Sequence, residues 1–137
     1  MQPEDIDHVE IFVEDRVKAA QWYEKIFELR PIPELGVWAK IGPLFIGNKD
    51  RTIKIALISG IKDNDGSVNR VAFRASGGDF VDFINSLGRT KVSFQERVVT
   101  RDDLVDHGLS YSIYFDDPDG NKLELTCYEH DYVKSHL

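Results

Sequence analysis

Apolar and polar residues alternate along "DHVEIFV", residues 7–13, which predicts a β-strand. The next segment, "EDRVKAAQWYEKIFELR", places apolar residues three and four positions apart, which is the spacing of an amphipathic helix. Asp15 is predicted to cap this helix, and Pro31 and Pro33 are predicted to end it. Three strands are predicted to follow, around "GVWAKI", "PLFIG" and "TIKIALIS". The first half of the chain therefore has the predicted order β-α-β-β-β.

The second half of the chain repeats this order. A strand is predicted over "NRVAFRA" and a helix over "SGGDFVDFINSLG", with Asp79 as its cap and Gly88 in a left-handed C-terminal position. Three strands are predicted around "VSFQERVV", "LSYSIYF" and "KLELTCY". Because several strands separate the two helices, the sheets are expected to be mixed or antiparallel, and the fold class is predicted to be α+β.

Alternation of side chains along each strand separates a side that faces the helix from an opposite side. Cys127 falls on the helix side of the last strand and is interpreted as a small core residue. Superposing the two halves gives four equivalent positions on the opposite side, namely His8, Ala56, Arg70 and Glu124. The turn "DDPDGN" is expected to set the strand register that directs Glu124 to this side.

Composition and charge restrict the class of protein. With 137 residues the chain is predicted to be a single domain, with one module over about 5–60 and another over about 67–129. The net charge of -7 argues against nucleic acid as a partner. No apolar run reaches the roughly 18 residues that a membrane span requires. One cysteine and the absence of a signal-peptide pattern predict a cytoplasmic location.

Three stretches resemble the vicinal oxygen chelate superfamily, which includes glyoxalase I, the bleomycin- and fosfomycin-resistance proteins and the extradiol dioxygenases. These stretches are "DHVEIFVEDRVKAAQWYEKIFEL", "RVAF" and "SIYFDDPDGNKLEL", and the last is the most specific. The resemblance implies paired β-α-β-β-β modules that form a cupped mixed sheet around a metal site. It also implies a homodimer in which strands from one or both subunits build the cup.

In metal-binding members of that superfamily, the ligands come from the first, fifth and last strands, and glyoxalase I adds one from the fourth. His8 and Glu124 match two ligand positions and are the candidate metal ligands. Arg70 occupies the position of the second histidine, and Ala56 offers no ligand atom. A permanent guanidinium charge repels a metal ion, so a divalent metal cofactor is the less favoured alternative.

Three environments for Glu124 therefore remain open from the sequence. His8 and Glu124 could hold a divalent metal that water or substrate completes. Arg70 could instead fill the metal position and pair with Glu124, leaving other donors for an anionic or carbonyl ligand. The third alternative is a water-mediated or solvent-facing carboxylate.

Several further residues are candidates for ligand contacts. The Tyr114 hydroxyl is predicted to point into the cup and orient a substrate oxygen, or else into water. Phe12 and Trp38 are candidates for an apolar wall, with core packing as the alternative. The charged stretch "ERVVTRDDLVDHG", which includes His107, is interpreted as a solvated loop that could cover the cup. His130 and His136 are assigned to an exposed tail.

Three functional hypotheses follow from these residues. The favoured one is a small-molecule-binding protein with a degenerate metal site and an anionic or carbonyl ligand. The second is a metal-dependent lyase or dioxygenase that acts on a small vicinal-oxygen substrate. The third is a metal-free enzyme in which His8, Glu124 or Tyr114 transfers protons. Arg70 is the residue that favours the first hypothesis.

Overall fold

Two units, Met1–Asp65 and Gly66–Leu137, make up the chain. The computed structural model describes residues 1–60 and 69–137, so the predicted start of the second module at about residue 67 lies outside the described residues. Each unit contains one mixed sheet and a long helix, and the predicted α+β class is confirmed. Among the described residues, no helix has the length and apolar character needed to cross a membrane.

The first unit begins with strand β1 and helix α1 and continues with three strands. Its elements are β1 (Val9–Val13), α1 (Arg16–Phe27), β2 (Arg30–Pro31), a 3₁₀ helix (Pro33–Lys40), β3 (Leu44–Gly47) and β4 (Lys54–Ser59). The strand order is β1-β4-β3-β2, with β1 parallel to β4 and the other pairs antiparallel. The strand predicted at "GVWAKI" is wrong, because a 3₁₀ helix that opens with Pro33 covers this segment.

Helix α1 begins as predicted and ends earlier than predicted. The Asp15 carboxylate accepts hydrogen bonds from the backbone N–H groups of Val17 and Lys18, which confirms the cap. The helix ends at Phe27, where Glu28 takes a left-handed conformation with φ 56°. The expectation that the prolines end the helix is therefore wrong, since the left-handed residue stops it first.

Over residues 69–137, the second unit contains six strands, two α-helices and a short 3₁₀ helix. Its elements are β5 (Arg70–Arg74), α2 (Gly77–Ser86), β6 (Ser93–Phe94), β7 (Arg97–Val98), a 3₁₀ helix (Arg101–Asp103), β8 (Val105–Asp106), β9 (Tyr111–Asp116), β10 (Lys122–Cys127) and α3 (His130–His136). The strand order is β5-β10-β9-β6-β7, and β8 also pairs with β9. The strand predicted at "VSFQERVV" is divided into β6 and β7, because Gln95 and Glu96 form a turn with positive φ.

The ends of α2 differ from the prediction. Ser76 caps the helix, since its Oγ accepts the backbone N–H of Asp79, whereas the Asp79 carboxylate accepts from the Ser76 hydroxyl. The helix ends at Ser86 with Leu87 in a right-handed conformation. Gly88 is not among the residues with positive φ, so the predicted left-handed position is wrong.

The predicted core side of the strands is confirmed in both units. Ile11 and Val13 are buried in β1, Phe73 is buried in β5, and Leu123, Leu125 and Cys127 are buried in β10. The parallel strand pairs have equivalent registers, with Glu10 opposite Ala56 in the first unit and Ala72 opposite Glu124 in the second. This shared register supports the internal repeat that the sequence predicts.

Candidate functional site

The turn between β9 and β10 is organised by the buried carboxylate of Asp117. One oxygen accepts the backbone N–H groups of Asp119 and Asn121, each at 2.9 Å, and the other accepts the Asn121 side-chain amide at 2.8 Å. Gly120 has φ +84°, a backbone conformation that residues with a side chain rarely adopt. The sequence indicated the turn but missed Asp117 as its centre. The closed turn places Glu124 opposite Tyr114 in the register.

The side of the second sheet away from the buried core carries a set of polar residues, here called the polar face and defined as Arg70, Ser112, Tyr114, Glu124 and Thr126. Ser112 Oγ donates to Glu124 Oε1 at 2.8 Å and lies 3.0 Å from Thr126 Oγ1. The half-buried Glu124 carboxylate thus has a neutral hydroxyl as its hydrogen-bond partner. This contact explains how a carboxylate is accommodated between two leucines.

Arg70 stacks on an aromatic ring of the polar face. Its Cζ lies 4.8 Å from the centroid of the Tyr114 ring. Within the described residues, no ion pair joins Arg70 to Glu124 or to any other carboxylate. The Arg70–Glu124 pair considered from the sequence is therefore not formed, because the guanidinium lies over the ring instead.

Tyr114 joins the polar face to the β8–β9 hairpin. Its hydroxyl lies 2.9 Å from His107 Nε2. Burial raises the pKa of the Tyr114 hydroxyl above its usual value, and the negative charge of Glu124 raises this pKa further. Tyr114 is therefore protonated at neutral pH and offers both an O–H donor and oxygen lone pairs.

A cavity of about 250 Å³ adjoins the polar face, lined by Arg70, Phe94, Arg97, Asp103 and Tyr114. Arg97 and Asp103 form a two-point ion pair with N–O distances of 2.8 and 3.0 Å. Hydrogen bonds from Arg97 are the main cause of the lowered pKa of Asp103, with a smaller contribution from the Thr100 backbone. Since Asp103 neutralises Arg97, Arg70 is, of the described residues that line the cavity, the cation that remains available to a ligand. The sequence did not predict Phe94, Arg97 and Asp103 as cavity residues, although the charged stretch "ERVVTRDDLVDHG" contains Arg97 and Asp103.

His8, in the first unit, is held by neighbouring acids and by an aromatic ring. Its Nδ1 lies 2.8 Å from Asp7 Oδ2, and its ring packs edge-on against Phe45 with centroids 5.2 Å apart. Lys54 lies 2.8 Å from the other Asp7 oxygen and is the main cause of the lowered pKa of Asp7. These contacts give His8 a packing role in the first unit, and its predicted catalytic role stays a prediction.

The two candidate wall residues of the first unit are both partly exposed. Trp38 is 46% exposed and packs against Phe45 with ring centroids 5.6 Å apart, while Phe12 is 44% exposed. Neither is a buried core residue, so their predicted contact with a ligand stays a prediction. Ala56 is fully buried against Ile32 and Phe45 and offers no ligand atom.

The donor set at the four implied positions differs from the metal site that the resemblance implies. Across residues 1–60 and 69–137, no group of three or more His, Cys, Asp or Glu side chains is arranged to hold a metal ion. Of the four implied positions, Ala56 has no donor and Arg70 carries a permanent charge that repels a cation. His8 lies in the first unit and Glu124 in the second, so their pairing as metal ligands stays a prediction.

Two histidines assigned to an exposed tail are instead part of α3. His130 stacks on Tyr111 with ring centroids 4.5 Å apart and lies 2.7 Å from Asp106. His136 stacks on Tyr132 at 4.0 Å. The tail assignment is therefore wrong for His130, which is partly buried by the Tyr111 stack and the Asp106 contact, whereas His136 is exposed as expected although it belongs to a helix. His130 also helps to lower the pKa of Asp106, after the larger effect of the Gly108 N–H group.

Comparison with known proteins places the chain among related sequences and folds. Residues 5–125 match the sequence model of the Glyoxalase/Bleomycin resistance protein/Dioxygenase superfamily. A comparison with curated protein sequences found no significant match.

Three solved structures illustrate the similarity of fold. The fosfomycin resistance protein FosX from Mesorhizobium loti has 23% identity and a TM-score of 0.66, with 92% of this chain and 93% of that chain covered. A glyoxalase/dioxygenase from Nostoc punctiforme has 20% identity and a TM-score of 0.66, with 91% of each chain covered. Oxidase ChaP-H1 has 17% identity and a TM-score of 0.65, with 91% of this chain and 96% of that chain covered. At these identities the structures show a shared fold.

Proposed function

This chain belongs to the Glyoxalase/Bleomycin resistance protein/Dioxygenase superfamily, and we propose that it is a small-molecule-binding protein in which Arg70 takes the place of the metal. The ligand is an anion or a carbonyl compound bound at the polar face. The observation that carries this proposal is the position of Arg70, stacked on Tyr114 beside a cavity and without a carboxylate partner among the described residues.

The chemistry of the cavity supports an oxygen-rich ligand. A guanidinium donates up to five N–H hydrogen bonds in a planar arrangement that matches the two oxygens of a carboxylate or phosphate. Stacking on Tyr114 orients the Arg70 group without neutralising its charge. The Tyr114 hydroxyl adds one donor, and Phe94 adds an apolar surface. The volume of about 250 Å³ limits the part of the ligand held here to a small group.

The resemblance also implies an assembly and a location. We propose a cytoplasmic homodimer, in keeping with the single cysteine and the superfamily resemblance. Analytical ultracentrifugation should give twice the monomer mass of 15.7 kDa. A monomer at micromolar concentration would contradict the dimer without affecting the ligand proposal.

A ligand-stabilisation screen tests the proposed function. The probes are benzoate, sulfate, inorganic phosphate, pyruvate and fosfomycin, the last because a similar structure is a fosfomycin resistance protein. A ligand at 100 times its Kd should stabilise the folded protein by about 2.7 kcal/mol. Arg70→Gln should remove this stabilisation, because it removes the charge and the forked donors.

Arg89→Gln is the matched control, since Arg89 is an exposed arginine of the same unit that does not line the cavity. It should respond to every probe as the unmodified protein does. Equal stabilisation of Arg70→Gln and the unmodified protein would refute binding at Arg70. A response of the unmodified protein that depends on added divalent metal would favour the metal-dependent lyase or dioxygenase instead.

A further inference from the structure

A short hairpin holds His107 beside the polar face. Strand β8 pairs with β9, with Val105 opposite Ser112 and Asp106 opposite Tyr111. The His107 backbone N–H donates to the Ser110 carbonyl at 2.9 Å. Gly108, with φ +85°, donates its N–H to the Asp106 carboxylate at 2.8 Å. The backbone of His107 is therefore positioned by the turn itself.

The side chain of His107 meets the hydroxyl of Tyr114. Its Nε2 lies 2.9 Å from Tyr114 Oη, and the two rings are nearly perpendicular at 87°. His107 is exposed, so it exchanges protons freely with water. This hydrogen bond joins an exposed imidazole to a hydroxyl that lines the cavity.

Protonation of His107 fixes the direction of this hydrogen bond, which in the neutral imidazole depends on the tautomer. A protonated imidazole donates from both nitrogens, so the Tyr114 oxygen must accept and its own hydrogen is released to another acceptor. A neutral imidazole with a bare Nε2 accepts the tyrosine hydrogen instead. In that state Tyr114 presents only lone pairs to the cavity, which repel an oxyanion.

The surrounding charges determine where the released hydrogen goes. Arg70 covers the Tyr114 ring, and Glu124 lies opposite Tyr114 in the strand register. Asp106, next to His107 in the chain, is bound by His130 and Gly108. On the far side of the cavity Arg97 and Asp103 neutralise each other. Among the described residues, Glu124 is therefore the acidic acceptor for the Tyr114 hydrogen, and an incoming oxyanion competes with it.

We propose that His107 is a positioning residue that couples binding of an oxyanion at Arg70 to the uptake of one proton. This inference rests on the proposed function and identifies the ligand as an oxyanion rather than a neutral carbonyl compound. Protonated His107 turns the Tyr114 hydrogen towards the ligand and adds a positive charge to the site. Binding of an oxyanion is therefore tighter at the lower pH, at which His107 carries the additional proton.

Isothermal titration with benzoate and sulfate tests this coupling, because both probes keep a constant charge between about pH 6 and pH 8.5. We expect roughly tenfold tighter binding at the lower pH, which corresponds to one charge-assisted hydrogen bond. Titrations in two buffers with different ionisation enthalpies should detect proton uptake on binding. His107→Asn should bind with an affinity that does not change with pH and without proton uptake.

His136→Asn is the matched control, since it removes an exposed histidine of the same unit that does not line the cavity, and it should keep the full pH dependence. Circular dichroism should show that both variants are folded. Binding that is independent of pH in the unmodified protein, or a pH dependence that survives in His107→Asn, would overturn the coupling and leave the Arg70 site intact. Failure of the unmodified protein to bind any oxyanion probe at any pH would instead refute the proposed function.

Discussion

The guanidinium of Arg70 lies over the ring of Tyr114, with its Cζ 4.8 Å from the ring centroid. Arg70 begins β5 and Tyr114 belongs to β9, and β10 lies between these strands in the sheet. The contact therefore spans the strand that carries Glu124. A cation–π contact of this kind contributes about 0.5–1 kcal/mol at an exposed site. It orients the Arg70 charge and leaves that charge available to a ligand.

Two substitutions of Tyr114 separate the contribution of its hydroxyl to ligand binding from the contribution of its ring. Tyr114→Phe keeps the ring under Arg70 and removes the hydroxyl, so the affinity for benzoate at about pH 6 should fall about tenfold. Tyr114→Leu also removes the aromatic surface and should weaken binding further, because the guanidinium loses its orientation. Isothermal titration measures both affinities. A Tyr114→Leu protein that binds benzoate as tightly as the unmodified protein would show that the stack has no role in binding.

Arg70 stands at the position where the resemblance implies a metal-binding histidine. This difference predicts how the metal content of the protein changes when Arg70 is substituted. The unmodified protein, purified without chelators, should contain well under one divalent metal ion per chain. Arg70→His should contain more metal. This variant removes the repelling charge and supplies the third ligand of the metal site that the superfamily resemblance implies. Elemental analysis measures the difference.

Arg70→Gln is the control for this experiment, since it removes the charge without adding an imidazole. Equal metal content in Arg70→His and Arg70→Gln would mean that charge alone, and not the ligand set, controls binding of the metal. Near-stoichiometric metal in the unmodified protein would contradict the proposal that Arg70 replaces the metal.

The lowered pKa of Asp103 predicts a pH-dependent contribution to stability. Its carboxylate accepts from Arg97 and from the Thr100 backbone, and both contacts favour the charged form. A depressed folded-state pKa contributes stability above the ordinary value of 3.8, and this stability is lost as the pH falls through the folded-state pKa. Asp103→Asn should therefore lower the free energy of unfolding at pH 7, by about 1 kcal/mol for a partly exposed pair.

Urea unfolding at a series of pH values measures this loss, which should shrink as the solution is made acidic. Asp102→Asn is the matched control, because Asp102 is the adjacent acid and has no ion pair among the described residues. It should change the free energy of unfolding little at any pH. A loss for Asp103→Asn that stays constant down to about pH 3 would show that its charge is not the cause.

The hydrogen bond between the Asp117 carboxylate and the Asn121 amide predicts that a substitution of Asn121 restores part of the stability lost on substitution of Asp117. Asp117→Asn keeps one oxygen for the backbone N–H groups but opposes the Asn121 amide with a second N–H donor. This variant should lower the free energy of unfolding by about 1–3 kcal/mol, the cost of an unsatisfied buried polar group. Adding Asn121→Asp should recover part of the loss, because the donor and acceptor then exchange places. Urea unfolding of the two single variants and the double variant measures the coupling, and strictly additive losses would contradict it.

Local sequence pattern determined the order of the two long helices and the main strands, and it determined the buried sides of those strands. The two-residue period put Leu123 and Leu125 in the core and Glu124 on the opposite side, because alternation is a property of the strand alone. The repeat also anticipated the matched registers of the parallel pairs. Predictions failed where a turn needs an uncommon backbone conformation, as at Gln95 and Glu96, and where a 3₁₀ helix replaced a short apolar strand.

Only the tertiary structure decided the partners of the polar residues. Arg70 faces Tyr114 across an intervening strand, Glu124 accepts from Ser112, and His107 reaches Tyr114 through a hairpin. These contacts depend on strand order and on side-chain rotamers, which are not encoded in the period of a single segment. The sequence thus identified which residues leave the core, whereas the pairing of strands selected which of them act together.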